Sequence, residues 1–445
     1  CANGMDKTLY VSDLDGTLLT PEERISPFTR RVVNSLAAQG VAFTYATARS
    51  QHSADAVTAG LTKQLPVIVY NGVFVRQGEQ RETLLHRAIP SQAREELENA
   101  FAQQGLFPLV YTLLDGVERV LWRPDRETPG VAHYVSTRQG DERLLPVEDD
   151  RGLYRGEIFY YTLIGEREQL QPLWQQLQGN PTLTALLQEE LYRPGEYWLE
   201  ILSREASKAS AARWLKQRLG CTRLVAFGDG LNDLPLFQEA QESCAVENAR
   251  PEVQAAASQV IPGNERDGVA RFLLADTAPL LALGDRAGAF RVRLYHPQDL
   301  EELIRLFYET VHTVNRQDYT QQEVDAWVPS VESVDRAAWG ESLAAHFTVV
   351  AEQEGRLLGF GDMDDTGYLD RLYVHKDFQG RGVASALAQA LEGYAVGLGV
   401  KELSVHASRT ALPFFQGRGY VHPVAQKVLR RGVLLENFRL TRPGA

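Results

Sequence analysis

Cysteine is scarce in this chain of 445 residues, which contains only three. Cys1, Cys221 and Cys244 are odd in number and far apart in the sequence. Neither a disulfide framework nor a clustered zinc site is therefore expected. Such cysteine usage is typical of the reducing cytoplasm, where we expect the protein to work.

Positive charge is also in short supply. Lysine and arginine number 46 against 58 aspartates and glutamates, which gives a formal net charge of −12. Nucleic acids and anionic membrane surfaces bind a basic face, and no apolar run is long enough to span a bilayer. We therefore expect no nucleic-acid partner and no membrane partner.

The first residues, "CANGM", are not followed by the apolar segment of a signal peptide. Met5 is the expected natural start, with residues 1–4 added ahead of it. A lipid-modified Cys1 is the alternative interpretation.

Strand and helix patterns alternate in two stretches of the sequence, 8–75 and 207–274. This spacing is typical of βαβ units and a parallel sheet. The intervening segment 82–192 has a different texture, with a hairpin, a further strand and a helix, and predicts an inserted α+β unit. The sequence thus predicts an α/β core, residues 5–81 and 193–275, that is interrupted by the insert.

A second unit follows this core. Residues 276–289 are rich in alanine and glycine and are expected to form a linker. Residues 290–445 alternate again between strand and helix patterns and predict a separate α/β domain. Domains of roughly 100–200 residues are usual, so that a chain of this length fits two or three.

Two carboxylates follow the first strand, in "LYVSDLDGTLLT". Asp13 and Asp15 come directly after the apolar run, and Asp229 and Asp233 follow another strand far downstream. The carboxyl ends of strands in an open α/β sheet meet in one crevice. Asp13, Asp229 and the backbone carbonyl of Asp15 are an all-oxygen set of the kind that Mg²⁺ prefers. The sequence therefore predicts a magnesium ion at this position.

Two further groups are expected in the same crevice. Lys208 opens a helix, and Thr47 ends the second strand. A metal ion, a lysine and turn amides around a carboxylate make a phosphoryl-transfer site. We expect Asp13 to be the nucleophile that forms an aspartyl-phosphate, and Asp15 to protonate the leaving oxygen and then activate water. Each piece alone is more often a turn or surface residue, but their combination at four strand ends favours catalysis.

The segments "VSDLDGTLL", "TAR", "SK" and "GDGLND" resemble, in this order, the four motifs of the haloacid dehalogenase (HAD) superfamily of phosphatases. "ENARPEVQAAA" and "DGVA" further resemble its Cof-type branch, which carries a large α+β cap where the insert lies. The resemblance covers roughly residues 5–275 and implies a Rossmann-like core.

The resemblance also implies roles for residues. Asp13 and Asp15 are then the nucleophile and the acid/base, and Thr47 and Lys208 hold phosphate. The implied metal ligands are Asp13, Asp15, Asp229 and Asp233, and the implied phosphate- or substrate-contacting residues are Asn71, Asn232 and Asn248. The cap is implied to choose the substrate, a small phosphorylated metabolite, and its candidate residues are Tyr111, Arg123 and Tyr161.

A glycine turn opens a long helix in "LYVHKDFQGRGVASALAQALEGYAVGLG". Free amides at a helix start bind phosphate well, but neither the P-loop nor the GxGxxG spacing is present. In its context of strands and helices, "QGRGVA" resembles the acetyl-CoA loop of the GNAT superfamily of N-acyltransferases, over about residues 290–445.

The GNAT resemblance implies acetyl-CoA as a co-substrate and an amine as its acceptor. The amides of 380–384 would bind the pyrophosphate, and the backbone of the preceding strand would line the pantetheine. The implied acetyl-CoA-binding residues are Leu372, Val374, Gln379, Gly380, Arg381, Gly382, Val383 and Ala384.

The residues that catalyse acetyl transfer are less well defined. Many GNAT relatives have a tyrosine where this chain has Phe415, so that Tyr420, Ser408 or water are candidates for the acid. Asp370 is a candidate base, and a charged residue on a solvent-facing strand is the ordinary alternative. The candidate pocket residues on the acceptor side are His312, Tyr319 and Trp327.

The sequence as a whole predicts a bifunctional enzyme, a magnesium-dependent phosphatase joined to an acetyl-CoA-dependent N-acetyltransferase. An amine-bearing phosphorylated metabolite would suit both sites. Three alternatives stay open: a phosphotransferase or mutase, a phosphatase regulated by a non-catalytic acyl-CoA-binding domain, and an enzyme that loads an acyl group onto a carrier protein. The large cap counts against the last of these.

Overall fold

A computed structural model describes residues 7–77, 82–283 and 290–444. The expected start at Met5 and residues 284–289 of the predicted linker lie outside the described residues. Within these described ranges, no helix has both the length and the apolar character needed to cross a membrane.

The elements are numbered along the chain. The strands are β1 (Thr8–Ser12), β2 (Ala42–Tyr45), β3 (Val67–Val69), β4 (Phe74–Arg76), β5 (Thr83–His86), β6 (Leu109–Leu114), β7 (Val117–Trp122), β8 (Leu144–Pro146), β9 (Glu157–Gly165), β10 (Leu183–Glu189), β11 (Tyr197–Ser203), β12 (Arg223–Gly228), β13 (Glu242–Val246), β14 (Gln259–Ile261), β15 (Arg291–Leu294), β16 (Phe347–Gln353), β17 (Arg356–Met363), β18 (Tyr368–Val374), β19 (Glu402–Ser408), β20 (Val421–Arg430) and β21 (Val433–Pro443). The helices are α1 (Pro27–Ala38), α2 (Gln51–Val57), α3 (Ser91–Gln104), α4 (Pro129–Ser136), α5 (Asp150–Leu153), α6 (Arg167–Leu177), α7 (Lys208–Arg218), α8 (Leu234–Glu239), α9 (Pro251–Ala256), α10 (Gly268–Leu283), α11 (Leu300–Thr313), α12 (Gln321–Trp327), α13 (Arg336–Ala345), α14 (Val383–Leu398) and α15 (Leu412–Gly417).

A parallel sheet forms the first domain, with the strand order β14-β13-β12-β1-β2. β1 is buried along its whole length, as expected of a strand that is covered on both faces. In the register of the sheet, Ser12 pairs with Phe227 of β12 and with Tyr45 of β2. The residues that follow these three strands, among them Asp13, therefore lie side by side at one edge.

The insert forms a cap with a second sheet, in the order β10-β11-β9-β6-β7-β8. The predicted hairpin is β6–β7, and its two-residue turn, Asp115–Gly116, has φ values of +51° and +78°, as a type I′ turn requires. β11 pairs with both β9 and β10. Because these backbone pairs extend to Ser203, we place the end of the cap there rather than at the predicted residue 192.

The C-terminal domain is built on a seven-stranded sheet, in the order β15-β16-β17-β18-β19-β21-β20. Its strands are antiparallel apart from the parallel neighbours β18 and β19. Only two residue pairs join β18 to β19, Tyr368–Ser404 and Leu369–Val405. Beyond these pairs a cavity separates the two strands.

Helix α14 of the C-terminal domain packs against α1 and α10 of the first domain. A Cβ atom on Gly397 would lie 2.7 Å from the Phe28 ring, so glycine permits the close approach. Tyr394 meets the same ring at 5.4 Å between centroids, and Arg31 Nη1 donates to Gly397 O at 2.9 Å. Buried side chains of both domains form one continuous core.

Helix α10 continues to Leu283 and so includes the first residues of the predicted linker.

Candidate functional site

A buried lysine joins two aspartates at the carboxyl edge of the parallel sheet. Lys208 Nζ donates to Asp13 Oδ1 and to Asp233 Oδ1, both at 2.9 Å. The exposed fractions of the three residues are 4%, 7% and 0%, respectively. Burial, followed by repulsion from Asp233, raises the pKa of Asp13. Burial alone would lower the pKa of Lys208, but the two carboxylates raise it, and the lysine is therefore a fixed positive charge.

Asp229 completes this group from the turn after β12. Thr17 Oγ1 donates to Asp229 Oδ1 at 2.9 Å, and burial, followed by Asp233, raises the pKa of Asp229 to about 6. Gly16 has a φ of +77°, and a Cβ atom there would lie 2.3 Å from Asp229 Oδ2. The glycine after Asp15 therefore lets the two turns approach each other.

These carboxylates fit a divalent cation. One oxygen from each of Asp13, Asp229 and Asp233 lies within 4.8 Å of the others, and Lys208 contacts two of these carboxylates, Asp13 and Asp233. Hard carboxylate oxygens are the ligands that Mg²⁺ prefers. Asp233 Oδ2 already accepts from the amides of Asp229 and Gly230 at 3.1 Å. Asp13 and Asp229 would therefore hold the metal, and Asp233 would orient the site.

The Asp15 side chain is held by different partners. Arg49 donates to both of its carboxylate oxygens, from Nε at 2.8 Å and from Nη2 at 2.7 Å. Tyr192 Oη donates to Asp15 Oδ1 at 3.0 Å. Arg49 also pairs with Glu23. Arg49 and Tyr192 thus hold the Asp15 carboxylate, which does not belong to the group of Asp13, Asp229 and Asp233. Of the predicted metal ligands from Asp15, the backbone carbonyl is the one that remains.

The predicted threonine and asparagines lie around this centre. Thr47 is buried, and its Oγ1 accepts from the Arg49 amide at 3.0 Å. Asn248 Nδ2 donates to Gly16 O at 2.8 Å and so braces the turn after Asp13. Asn232 is half-buried in the turn that leads to Asp233.

Asn71 connects the core with the cap. Its Nδ2 donates to Tyr160 Oη at 2.8 Å and to Glu200 Oε2 at 3.0 Å. These cap residues stand on the neighbouring strands β9 and β11. Burial raises the pKa of Glu200 to about 7 although Tyr160 and Asn71 both donate to it. The cap therefore presents a buried carboxyl group beside the predicted phosphate site.

The second site is a cavity of about 1320 Å³ between β18 and β19. Gln379 Nε2 donates to Val374 O at 2.7 Å and so fixes the start of the glycine loop. Gly380 and Gly382 have φ values of +72° and +83°, and α14 begins directly afterwards. The predicted acetyl-CoA residues that line the cavity are Leu372, Val374, Gln379, Gly380, Gly382, Val383 and Ala384. Arg381 instead lies over the Phe378 ring at 5.0 Å.

The predicted acetyl-transfer residues divide into two groups. Those that line the cavity are Asp370, Ser408, Tyr319 and Trp327, and Phe415, which stands in place of the family's tyrosine, lines it as well. Tyr420 and His312 lie outside this lining: the buried Tyr420 hydroxyl is 3.4 Å from Glu392 Oε1, and His312 Nε2 is 2.7 Å from Val328 O. We therefore correct the choice of Tyr420 as acid, and Ser408 is the better-placed hydroxyl.

Comparison with known proteins gives a family for each half of the chain. Residues 10–273 match the family model for haloacid dehalogenase-like hydrolases. The chain belongs to this hydrolase family. Residues 315–442 match the GNAT acetyltransferase domain, so the hydrolase carries a second enzyme domain, and both predicted resemblances and the α/β fold class are confirmed.

Relatives are found for each half of this HAD-family hydrolase. The uncharacterized N-acetyltransferase YafP of Escherichia coli (strain K12) is 34% identical over 148 residues, which are 33% of this chain and 92% of that protein. A putative phosphatase of Haemophilus influenzae is 27% identical over 270 residues, 59% of this chain and 95% of that protein. A crystal structure from Thermotoga maritima covers 60% of this chain and 96% of its own, at 25% identity and a TM-score of 0.48.

The sequence analysis did not identify the cap residues that reach the site. Tyr161 lies in the cap's own core, the Tyr111 hydroxyl donates to Tyr134, and Arg123 pairs with Asp125 and Asp150. The side chains that reach the site are instead Tyr160, Tyr192 and Glu200. The sequence analysis also did not identify Arg49, although it is the arginine of the segment "TAR" that was compared with the HAD motifs.

Glu200→Gln should flatten the pH dependence of stability in the HAD half. A carboxyl with a folded pKa of about 7, above its ordinary 4.5, binds more protons in the native state than in the unfolded state. Its contribution to stability is therefore lost as pH rises between these values. We expect the fall in Tm between about pH 5 and pH 8 to shrink by a few degrees in the variant. Thermal unfolding of metal-free protein measures this, with Glu168→Gln on the exposed face of α6 as control. An unchanged slope would contradict the role of Glu200.

Proposed function

We propose that this protein is a bifunctional enzyme. Its HAD half hydrolyses a small phosphorylated metabolite with Mg²⁺ through an aspartyl-phosphate, and its GNAT half transfers acetyl from acetyl-CoA to an amine. The observation that carries the first activity is the buried group of Lys208 with Asp13 and Asp233, joined by Asp229. The second is supported by the cavity between β18 and β19 with its glycine loop.

In the phosphatase half, a bound Mg²⁺ neutralises charge so that a carboxylate can approach a phosphate. Lys208 holds Asp13 Oδ1, which fixes the carboxylate for attack on phosphorus. As the new O–P bond forms, the ester bond breaks, and Asp15 gives its proton to the leaving oxygen. Water then attacks the phosphorus of the aspartyl-phosphate, the bond between phosphorus and the Asp13 oxygen breaks to release phosphate, and Asp15 takes a proton from that water. Arg49 and Tyr192 place the Asp15 side chain, and since they donate to both of its oxygens, one of these contacts opens when Asp15 carries the proton.

In the acetyltransferase half, loop amides at the start of α14 hold the pyrophosphate of acetyl-CoA. The amine attacks the thioester carbonyl, a C–N bond forms, and the C–S bond breaks. Asp370 faces the cavity and takes the proton of the amine. The thiolate of CoA leaves and is protonated by Ser408 or by water.

Gly382→Trp tests the acetyl-CoA site. A tryptophan at a φ of +83°, where α14 begins, strains the loop and fills the space beside the amides. We expect acetyl-CoA affinity to fall by at least about 100-fold while phosphatase kcat/KM stays within about two-fold of wild type. Calorimetric titration with acetyl-CoA measures the first and phosphate release the second. Gly355→Trp is the matched control, since Gly355 has a φ of +77° and open space around its Cβ position. Unaltered acetyl-CoA binding would refute this placement.

A panel of phosphorylated metabolites tests the complete proposal. Phosphate release should require Mg²⁺ and should stop on addition of EDTA. Each dephosphorylated product is then offered with acetyl-CoA, and acetylation of one of them would show a shared substrate. Transfer of the phosphoryl group to a second metabolite, with no free phosphate, would instead show a phosphotransferase.

One alternative is favoured by a specific observation. Phe415 lines the cavity where a tyrosine acid is common in GNAT relatives, and the helix behind the loop packs on the phosphatase core. A domain that binds acetyl-CoA without turnover and regulates the phosphatase would have these features. Tight acetyl-CoA binding that changes the phosphatase rate, without acetylation of any amine, would favour this function.

A further inference from the structure

A histidine is held by a buried aspartate close to the cavity of the GNAT domain. His346 lies between α13 and β16, and its Nδ1 is 2.7 Å from Asp362 Oδ2. Asp362 stands on β17 and is 0% exposed. Arg371, on β18, donates from Nη1 to the same oxygen at 2.7 Å. The aspartate is therefore a buried anion between two basic side chains.

This pair reaches the proposed base of acetyl transfer. One ligand atom from each of His346, Asp362 and Asp370 lies within 4.8 Å of the others. Asp370 lines the cavity and forms an ion pair with Arg371 at 3.2 Å. The sheet sets this arrangement, because Asp362 pairs in register with Thr348 of β16 and with Arg371 of β18. Two adjacent strands and the residue just before β16 thus place two carboxylates, an arginine and a histidine together.

The same cluster suits a proton better than a metal ion. The Arg371 guanidinium already contacts both carboxylates, and a divalent cation beside it would be repelled. A histidine whose Nδ1 is fixed by a buried carboxylate has its Nε2 available for a proton, and the carboxylate stabilises the imidazolium. The His346 side chain is 22% exposed, so that the ring has access to solvent.

The surrounding charges support this reading. The hydrogen bond with Asp362 raises the pKa of His346 in spite of burial and of Arg371. Burial raises the pKa of Asp370, which is also affected by Arg371, Asp362, His346 and Asp364. Cavity-lining titratable groups that interact with Asp370 include Tyr368, Tyr373 and His406. The pKa values of His346 and Asp370 are thus both raised above their ordinary values.

We propose that His346 is a positioning and relay residue for acetyl transfer. Asp370 takes the proton from the ammonium group of the acceptor, a bridging water carries it from Asp370 to His346 across the gap of up to 4.8 Å between their polar atoms, and His346 releases it to solvent. One proton moves at each step, and the protein returns to its initial charge. Such a relay is needed for a primary alkylamine, which is protonated at neutral pH, and not for an aniline, which is not. The acceptor class is therefore an alkylamine. This inference rests on the proposed acetyltransferase function.

The test compares His346→Gln with wild type in the full chain, using acetyl-CoA with a panel of primary alkylamines and with anilines. We expect kcat/KM for alkylamines to fall by about 10- to 100-fold near neutral pH. The deficit should shrink toward high pH, where the amine is already deprotonated. Turnover of anilines and the KM for acetyl-CoA should stay within about two-fold of wild type. His296→Gln is the control, a half-buried histidine of the same domain that does not line the cavity.

A second variant separates the relay from a structural role. In His346→Ala, added imidazole should restore part of the alkylamine rate. An equal loss for both amine classes at every pH, without rescue, would show that His346 only supports the fold and would overturn the proposal, as would an unchanged pH profile. A wild-type protein that binds acetyl-CoA but acetylates no amine would contradict the acetyltransferase function itself.

Discussion

Asp13→Asn should lower phosphate release by a factor on the order of 10⁴ or more, because an amide cannot act as the nucleophile that forms the aspartyl-phosphate. The change removes one of the buried anions that repel each other around Asp233, while Lys208 keeps its bond with Asp233. The variant should therefore fold at least as well as wild type. Hydrolysis of p-nitrophenyl phosphate with Mg²⁺ measures the loss.

The control for this variant is Asp115→Asn, the same substitution in the exposed turn of the cap hairpin, where asparagine tolerates the φ of +51°. It should retain full activity. Asp13→Asn should also bind acetyl-CoA like wild type, since the two sites lie in different domains. More than about one hundredth of the wild-type rate in Asp13→Asn would mean that another group forms the covalent intermediate.

Gly16→Ala should be a strongly damaging change at the site around Asp13. The added methyl group would lie 2.3 Å from Asp229 Oδ2, and the φ of +77° is unfavourable for alanine. Asp229 has to move, so the metal site loses its geometry. We expect phosphatase kcat/KM to fall by about 100-fold or more and the free energy of unfolding to fall by about 1–3 kcal/mol. Steady-state kinetics at several Mg²⁺ concentrations and chemical denaturation measure the two effects.

Gly40→Ala is the control that distinguishes the backbone strain of an alanine at positive φ from the clash with Asp229. Gly40 has a similar φ of +88° but nothing within 4 Å of its Cβ position. It should therefore show the backbone strain, about 1 kcal/mol, with unchanged kinetics. Equal activities of the two variants would contradict the contact between the turn after Asp13 and Asp229.

The architecture and the centre of the phosphatase site were accessible from the sequence because their signals are local. An apolar strand that ends in Asp13, a strand before Asp229 and a helix that begins at Lys208 each place one group at a sheet edge, and the topology brings them together. The Asp115–Gly116 turn is similarly local. Its two residues both favour the left-handed backbone that a tight hairpin needs.

The cap contacts could not be derived in this way. Tyr160 and Tyr161 are neighbours in one strand, and only the placement of the helices decides which of them faces the core of the cap and which faces Asn71. The pairing of Asn71 with Glu200 joins residues from separate domains, and nothing close to either in sequence marks it. The hydrogen bond between His346 and Asp362 depends in the same way on sheet register.

Helix α14 belongs to the C-terminal domain and also completes the packing of the first domain. One end of it supports the loop proposed to hold the coenzyme, while its side along Tyr394 and Gly397 is sealed by Phe28 and Leu274 of the other half. Each domain therefore covers an apolar face of the other. Cleavage of the chain between the two domains would expose an apolar face of each to water. The two fragments would have to associate again to bury these faces.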